Sequence, residues 1–364
     1  MKKIVFACNW GKNPEKAWSG TSIGLYKELE KQYEIQRLDI NPKTPLLLPL
    51  RCMEKLGLGR YDINYMKYYT KRFEHIYRGQ ENIKVFQFDE CPNVNWANSY
   101  VFQDLCVSFL LDIYTNRKEL IPFCGLENLS EKYLQKRVIS QRAFYGDAKG
   151  IFTMGRWLAD YLVEKEGIPK EKVYAVGGGI NVDPNQIDDS HKEGNKFLFV
   201  GRDFVRKGGD IVVRAFKLLK QKNPQVELYI AGPPENPMEE KDRITGIYYL
   251  GEVNKIELNE LYNKCDIFCM PSRFEAYGLV FPEALAFGLP CIGRNDFSMK
   301  EFIQEGQNGY LIDTDNDQKL ADKMELALKN QMMKQYVKSQ REWYIHEYSW
   351  ENVVKRIIPV LENY

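Results

Sequence analysis

Short apolar runs alternate with stretches of helical spacing along the whole chain. Lys3–Ala7 reads as a strand, and Ile23, Leu25, Tyr26 and Leu29 mark a helix beginning near Thr21. The run Glu34–Ile40 is a second strand, so strand, loop, helix and strand form a parallel crossover unit. The pattern returns with strands at Lys84–Phe88 and Tyr100–Gln103, the second leading into a helix over Leu105–Ile113. A helix over Glu131–Ala143, the strand GIFTMG and a helix from Arg156 follow. After the polar run QIDDSHKEGNK from Gln186, which reads as a linker, a second series opens at Phe197. It comprises the strand FLFVG, a glycine-bearing loop, a helix over Asp210–Leu219, and the strands LYIAG, IYYLGEV and DIFCMPS. The pattern predicts an α/β protein of two Rossmann-like parallel-sheet domains, residues 1–185 and 186–344.

The interval from Asn41 to Gly79 fits this rhythm least. It holds an apolar patch, Pro45–Leu50, and then a segment in which Tyr65, Tyr69 and Phe73 recur every four residues. That spacing predicts a helix with one buried face. From Arg51 to Arg78 there are seven basic residues (Arg51, Lys55, Arg60, Lys67, Lys71, Arg72, Arg78) against three acidic ones. Such a basic face suits an anionic membrane surface or a phosphorylated acceptor, or is an ordinary solvated helix face.

Composition narrows the class. A chain of 364 residues is comfortable for two domains, and 44% hydrophobic with 28% charged residues is ordinary for a globular protein. Lys and Arg number 51 against 50 Asp and Glu, which does not suggest a nucleic-acid binder. No apolar run approaches the roughly 18 residues of a membrane span, and MKKIVFACNWGKN is too short in its apolar part for a signal peptide, so a cytoplasmic protein is expected. The eight cysteines are scattered. Cys265 and Cys269 flank a buried-strand pattern and read as reduced core thiols rather than metal ligands.

The densest chemistry lies in Pro271–Gly288, PSRFEAYGLVFPEALAFG. Glu275 and Glu283, eight residues apart, would sit about 80° apart on one helix. Gly278 separates them instead, and Pro282 suits a first helical position, which puts Glu283 in the first turn of a short helix stopped by Gly288 and Pro290. The backbone N–H groups of Gly278, Leu279 and Val280 then favour an anion such as phosphate, while ionised Glu283 accepts hydrogen bonds and suits ribose hydroxyls. Glu275 suits the hydroxyls of a sugar. Upstream, Gly201, Arg202, Lys207 and Gly208 offer two cations and a glycine turn between strand and helix, without the order of a Walker loop. The glycines Gly177, Gly178 and Gly179 lack the spacing and following helix of a dinucleotide fingerprint.

The pair Glu275 and Glu283 resembles the glutamate, seven residues, glutamate signature of the retaining family-4 glycosyltransferases, the glycosyl transferases of group 1. FLFVGRDFVRKGGDIVVRAFKLL and the segment Gly288–Met324 are similar to the same family. The resemblance implies the GT-B fold, two Rossmann-like domains facing across a cleft, with the first on the acceptor side and the second binding the nucleotide-sugar donor. It implies a tail from Tyr348 that crosses back onto the first domain as a helix over 345–364, kinked at Pro359. Arg202 and Lys207 match the pair that holds the donor diphosphate. Residues 251–253, Val253 among them, match the nucleobase loop, and Ala276, Tyr277, Gly278, Leu279 and Val280 match the phosphate turn. Gly20 and Thr21, in WSGTS, match the loop near donor phosphates and acceptor.

Many members of the family carry a histidine at the tip where Gln103 and Asp104 stand here. Asp104 takes that place, able to hydrogen-bond acceptor or sugar and to stabilise positive charge on the anomeric carbon, or to cap the following helix. The implied reaction is retaining transfer from a UDP-sugar or another nucleotide sugar to a glycan, lipid-linked or protein acceptor in envelope or exopolysaccharide synthesis. Arg202 and Lys207 would stabilise the leaving phosphate, with no metal required. The rivals are a nucleotide-sugar epimerase or phosphorylase on the same architecture, and a non-catalytic nucleotide-sugar binding protein.

Overall fold

In the computed structural model the described residues are all but 1, 12, 41–43, 56–60, 78, 81–82, 89–96, 189–193 and 364. Arg60, Arg78 and part of the linker lie outside them, as does the side chain of Tyr65. The chain divides into two compact units. The first comprises Met1–Asn116, Leu129–Gly179 and Trp350–Tyr364, and the second Arg117–Asn128 and Ile180–Ser349. The division expected at 185/186 thus lies at Gly179/Ile180, the return lies at Trp350 rather than 345, and the excursion 117–128 packs with the second unit.

The first unit is a six-stranded parallel sheet of order β2-β1-β3-β4-β5-β6. Its strands are β1 (Lys3–Cys8), β2 (Glu34–Asp39), β3 (Lys84–Phe88), β4 (Asn98–Gln103), β5 (Gly150–Thr153) and β6 (Val173–Ala175). Its helices are α1 (Thr21–Leu29), α2 (Thr44–Lys55), α3 (Tyr61–Tyr77), α4 (Val107–Asn116), α5 (Glu131–Asp147), α6 (Arg156–Glu164) and the closing α14 (Trp350–Glu362). The central strands β3 and β5 are buried throughout, which is why they lack the apolar–polar alternation of a half-exposed strand. Phe6, Phe86 and Phe152 stack across the sheet at 5.4 and 5.8 Å. Tyr69 and Phe73 of α3 are buried, as their four-residue spacing predicts, and Tyr77 one turn on is buried as well.

Helix α14 belongs to this core. Trp350 is wedged against Gly24 of α1 and Gly179, at each of which a Cβ would lie 2.3 Å from its ring. Tyr33 donates to Glu362 at 2.7 Å, and buried Lys84 donates to the Leu361 carbonyl. The helix continues through Pro359 to Glu362.

The second unit has a six-stranded parallel sheet of order β12-β11-β10-β7-β8-β9. It is built from β7 (Lys196–Val200), β8 (Glu227–Ala231), β9 (Ile247–Gly251), β10 (Ile267–Cys269), β11 (Cys291–Arg294) and β12 (Gly309–Ile312). Its helices are α7 (Gly209–Lys222), α8 (Lys255–Lys264), α9 (Val280–Ala286), α10 (Met299–Phe302), α11 (Asp317–Lys329), α12 (Gln331–Ser339) and α13 (Arg341–Glu347). Cys265 and Cys269 are buried at β10, and burial pushes both thiols up, as befits inert core groups.

In each sheet the chain runs outward in one direction, returns to the middle and continues in the other. The reversals fall between β1 and β3 and between β7 and β10. In open parallel sheets, ligands bind outside the carboxyl ends of the strands at such a point.

Candidate active site

Two loops leave the carboxyl ends of β7 and β10, and backbone geometry clamps them together. The carbonyl of Arg206 accepts from the Arg273 N–H at 2.8 Å and from Ser272 Oγ at 3.2 Å. The Arg206 guanidinium returns a hydrogen bond to the Phe274 carbonyl at 2.9 Å. Gly208, at φ +80°, lies beneath Pro271, where a Cβ would come within 2.6 Å of the carbonyl oxygen. Only glycine meets both demands. The clamp brings the Lys207 ammonium onto the Glu275 carboxylate, two groups 68 positions apart and both nearly buried. Arg206 lies 4.0 Å from the same carboxylate and also pairs with Asp203 at 3.1 Å.

Gly278, at φ +86°, then turns the chain into α9, with its Cα facing the stem of Glu275. The helix begins at Val280, two residues before the start expected at Pro282. Pro282 occupies the third position, where the first-turn N–H it lacks has no intrahelical partner. Glu283 stays in the first turn but faces inward. Its carboxylate accepts from the Asn181 N–H at 3.1 Å and from Tyr262 Oη at 3.3 Å. Burial pushes its pKa up to about 7, and the two hydrogen bonds and Lys255 offset that only in part.

The other donor-side candidates are placed as follows. Arg202 is largely exposed and pairs with Glu252 at 3.1 Å, and Val253 is half-buried just beyond β9. The Ala276 carbonyl is held by Ser298 Oγ at 2.9 Å. The Tyr277 ring is buried edge-on against Phe302, so this residue offers its backbone rather than its phenol. Lys207, Glu275 and Gly278 therefore stand together, Arg202 stands at the exposed rim of the β7 loop, and Leu279 and Val280 open α9.

In the first unit, Gly20 (φ +85°) precedes α1, and Thr21 is its buried first residue rather than its cap. Trp18 and Ser19 before it are also left-handed, at φ 51° and 57°. Asp104 is half-buried immediately past β4. Because α4 begins only at Val107, Asp104 is not its N-cap residue.

Sequence reasoning missed Arg206, Asn181 and Tyr262. Arg206 was signalled by its position beside Lys207. It also missed the cluster in which Arg273 binds Asp210 at 2.7 and 2.8 Å and Asp315 at 2.7 Å, bracing the base of the β10 loop.

Comparison with known proteins fits this geometry. Residues 185–344 match the family model described as Glycosyl transferases group 1. The matched segment lies wholly within the second unit. An uncharacterized glycosyltransferase of Haemophilus influenzae is 26% identical across 354 residues, 91% of each chain. The uncharacterized glycosyltransferase MJ1607 of Methanocaldococcus jannaschii is 26% identical over 229 residues, 58% of this chain and 59% of that protein. The solved structure of WaaG, a glycosyltransferase involved in lipopolysaccharide biosynthesis, superposes with a TM-score of 0.66 at 17% identity, over 98% of this chain and 99% of that one. The two parallel six-stranded sheets are those of the GT-B glycosyltransferase fold.

Proposed function

We propose that this protein transfers a sugar, with retention, from a nucleotide sugar, UDP-sugar foremost, to a glycan, lipid-linked or protein acceptor in envelope or exopolysaccharide synthesis. The carrying observation is the Lys207–Glu275 pair at the reversal point of the second sheet, inside the segment that matches group 1 glycosyltransferases. In the resting protein the cations are engaged with carboxylates: Lys207 with Glu275, Arg206 with Asp203, Arg202 with Glu252. A donor diphosphate exchanges for the carboxylate at Lys207 and draws in Arg202. Glu275 is thereby released to accept hydrogen bonds from the sugar hydroxyls. As the bond to the anomeric carbon breaks, negative charge gathers on the β-phosphate, where these preorganised cations hold it without a divalent ion. Glu283 meets the ribose hydroxyls, and Asp104 acts on the acceptor side. The named role of WaaG in lipopolysaccharide biosynthesis supports an envelope acceptor. The basic segment 51–78 fits an enzyme working at the inner membrane face.

Thermal stabilisation by UDP, GDP, ADP and CDP tests the reading. One nucleotide should raise the melting temperature by several degrees, and Lys207→Ala should abolish that rise. The matching sugar nucleotide should then yield a product whose anomeric configuration, read by NMR, equals that of the donor. Stabilisation by none of the four would overturn the donor site, and an inverted product would overturn retention.

A further inference from the structure

A small cavity lies at the carboxyl end of α9, the end away from Gly278 and Glu275. Its volume is about 70 Å³, room for about five water molecules. Tyr262 lines it, and the same tyrosine donates its hydroxyl to Glu283 at 3.3 Å. The cavity therefore backs directly onto the residues that hold the candidate site.

Three cations line this cavity. Lys334 and Lys338 stand one turn apart on α12, and Arg341 opens α13. Lys334 is only 3% exposed, and the other two are half-buried. A lysine is almost never so buried except beside negative charge. Arg341 is seated by the end of α9: its Nη2 donates to the Phe287 carbonyl at 2.8 Å, and its guanidinium lies on Gly288, where a Cβ would come within 2.5 Å of Nε. Against the three cations stand two carboxylates, Asp188 and Asp266. Asp188 is exposed, and both oxygens of Asp266 accept main-chain N–H groups, from Gly194 at 2.9 Å and Lys196 at 2.8 Å. Among the described residues the lining thus carries one positive charge in excess, in a recess whose low-dielectric walls concentrate the field.

Such a wall repels a metal ion, and an apolar molecule would strand its charges away from water. A nucleotide is too large for the space. A tetrahedral oxyanion matches it in size and sign, and offers acceptors enough for ammonium and guanidinium donors together. We propose that the cavity at the carboxyl end of α9 binds inorganic phosphate, held by Lys334, Lys338 and Arg341, at a site separate from Lys207. The assignment rests on this cavity alone and stands whether or not sugar transfer is the reaction.

The test is equilibrium dialysis of the full chain against radiolabelled inorganic phosphate at about pH 8, in a buffer free of other multivalent anions. Saturable binding should survive Lys207→Ala, which disables the donor site, and in that background should amount to one phosphate per chain. A hydrogen bond to a charged group is worth about tenfold or more. Lys338→Gln, at a half-buried helical position, should therefore weaken binding about tenfold while melting at the wild-type temperature. Lys334→Gln removes the buried ammonium and should weaken binding at least as much. Sulfate, of the same shape, should displace the label, and acetate at the same concentration should not. No saturable binding, loss of all binding with Lys207→Ala, undiminished binding by Lys338→Gln, or equal displacement by sulfate and acetate would each overturn the proposal.

Discussion

Replacing Glu283 with glutamine should change how the stability of the second unit depends on pH. The Glu283 carboxyl has its pKa pushed from an ordinary 4.5 to about 7 by burial. At about 1.4 kcal/mol per pH unit this is on the order of 3 kcal/mol. The raised value means that the folded state keeps a proton which the unfolded state gives up between pH 4.5 and 7. The wild type is therefore most favoured below about pH 4.5, loses stability as pH rises through 7, and carries the full cost above it. Glutamine cannot ionise, and its carbonyl oxygen still accepts from the Asn181 N–H, so Glu283→Gln should be free of that loss. For a unit of this size 1 kcal/mol moves a melting temperature by about 2–4 °C. Scanning calorimetry at pH 5 and pH 8, at fixed ionic strength, should then show the wild type falling by about 5–10 °C more than the variant. Parallel behaviour of the two proteins would refute the reasoning. A carboxylate kept at such a cost is what a binding role would explain, so the same variant should lose stabilisation by nucleotide.

Three further outcomes follow from the geometry. Lys207→Ala strips the partner from a nearly buried Glu275 and removes a cation from the leaving group, so turnover should fall by about a hundredfold or more, with about 1–3 kcal/mol lost in a urea melt. Gly208→Ala forces a Cβ to within 2.6 Å of the Pro271 carbonyl at a left-handed φ, and should cost about 2 kcal/mol or more in the same measurement. Asp104→Ala should lower turnover while leaving nucleotide-induced stabilisation intact; unchanged turnover would remove Asp104 from the chemistry, and a chelator that abolished wild-type turnover would show that the cations do not suffice.

The parallel sheets were legible because their strands are covered on both faces, so that VFQF, broken only by Gln87, and IFC lack the apolar–polar alternation of a half-exposed strand. Local chemistry was legible as well: Gly208 and Gly278 stand where the chain needs φ near +80°. Pairings across long sequence distance were not. Nothing near Glu283 points to Asn181, 102 positions away, so the hydrogen bond between them was not legible. Residues 117–128 join the second unit through Arg117 on Asp296 at 2.5 Å and over Phe297, and through Arg273 over Phe123. Such contacts exist only once the chain has folded. The start of α9 was misplaced because Pro tolerates the whole first turn rather than its first position alone.

The wedge of Trp350 between Gly24 and Gly179 also sets an order of assembly on the ribosome. The sheet of the first unit is fully translated by Ala175, yet the helix that covers it starts at Trp350. At about 5–20 residues per second, roughly ten to thirty seconds of synthesis separate the two. Throughout that interval the surface around Gly24, Gly150 and Phe102 lacks its cover, while the second unit emerges whole. A chain stopped just before Trp350 should therefore hold a finished second unit and an unfinished first one.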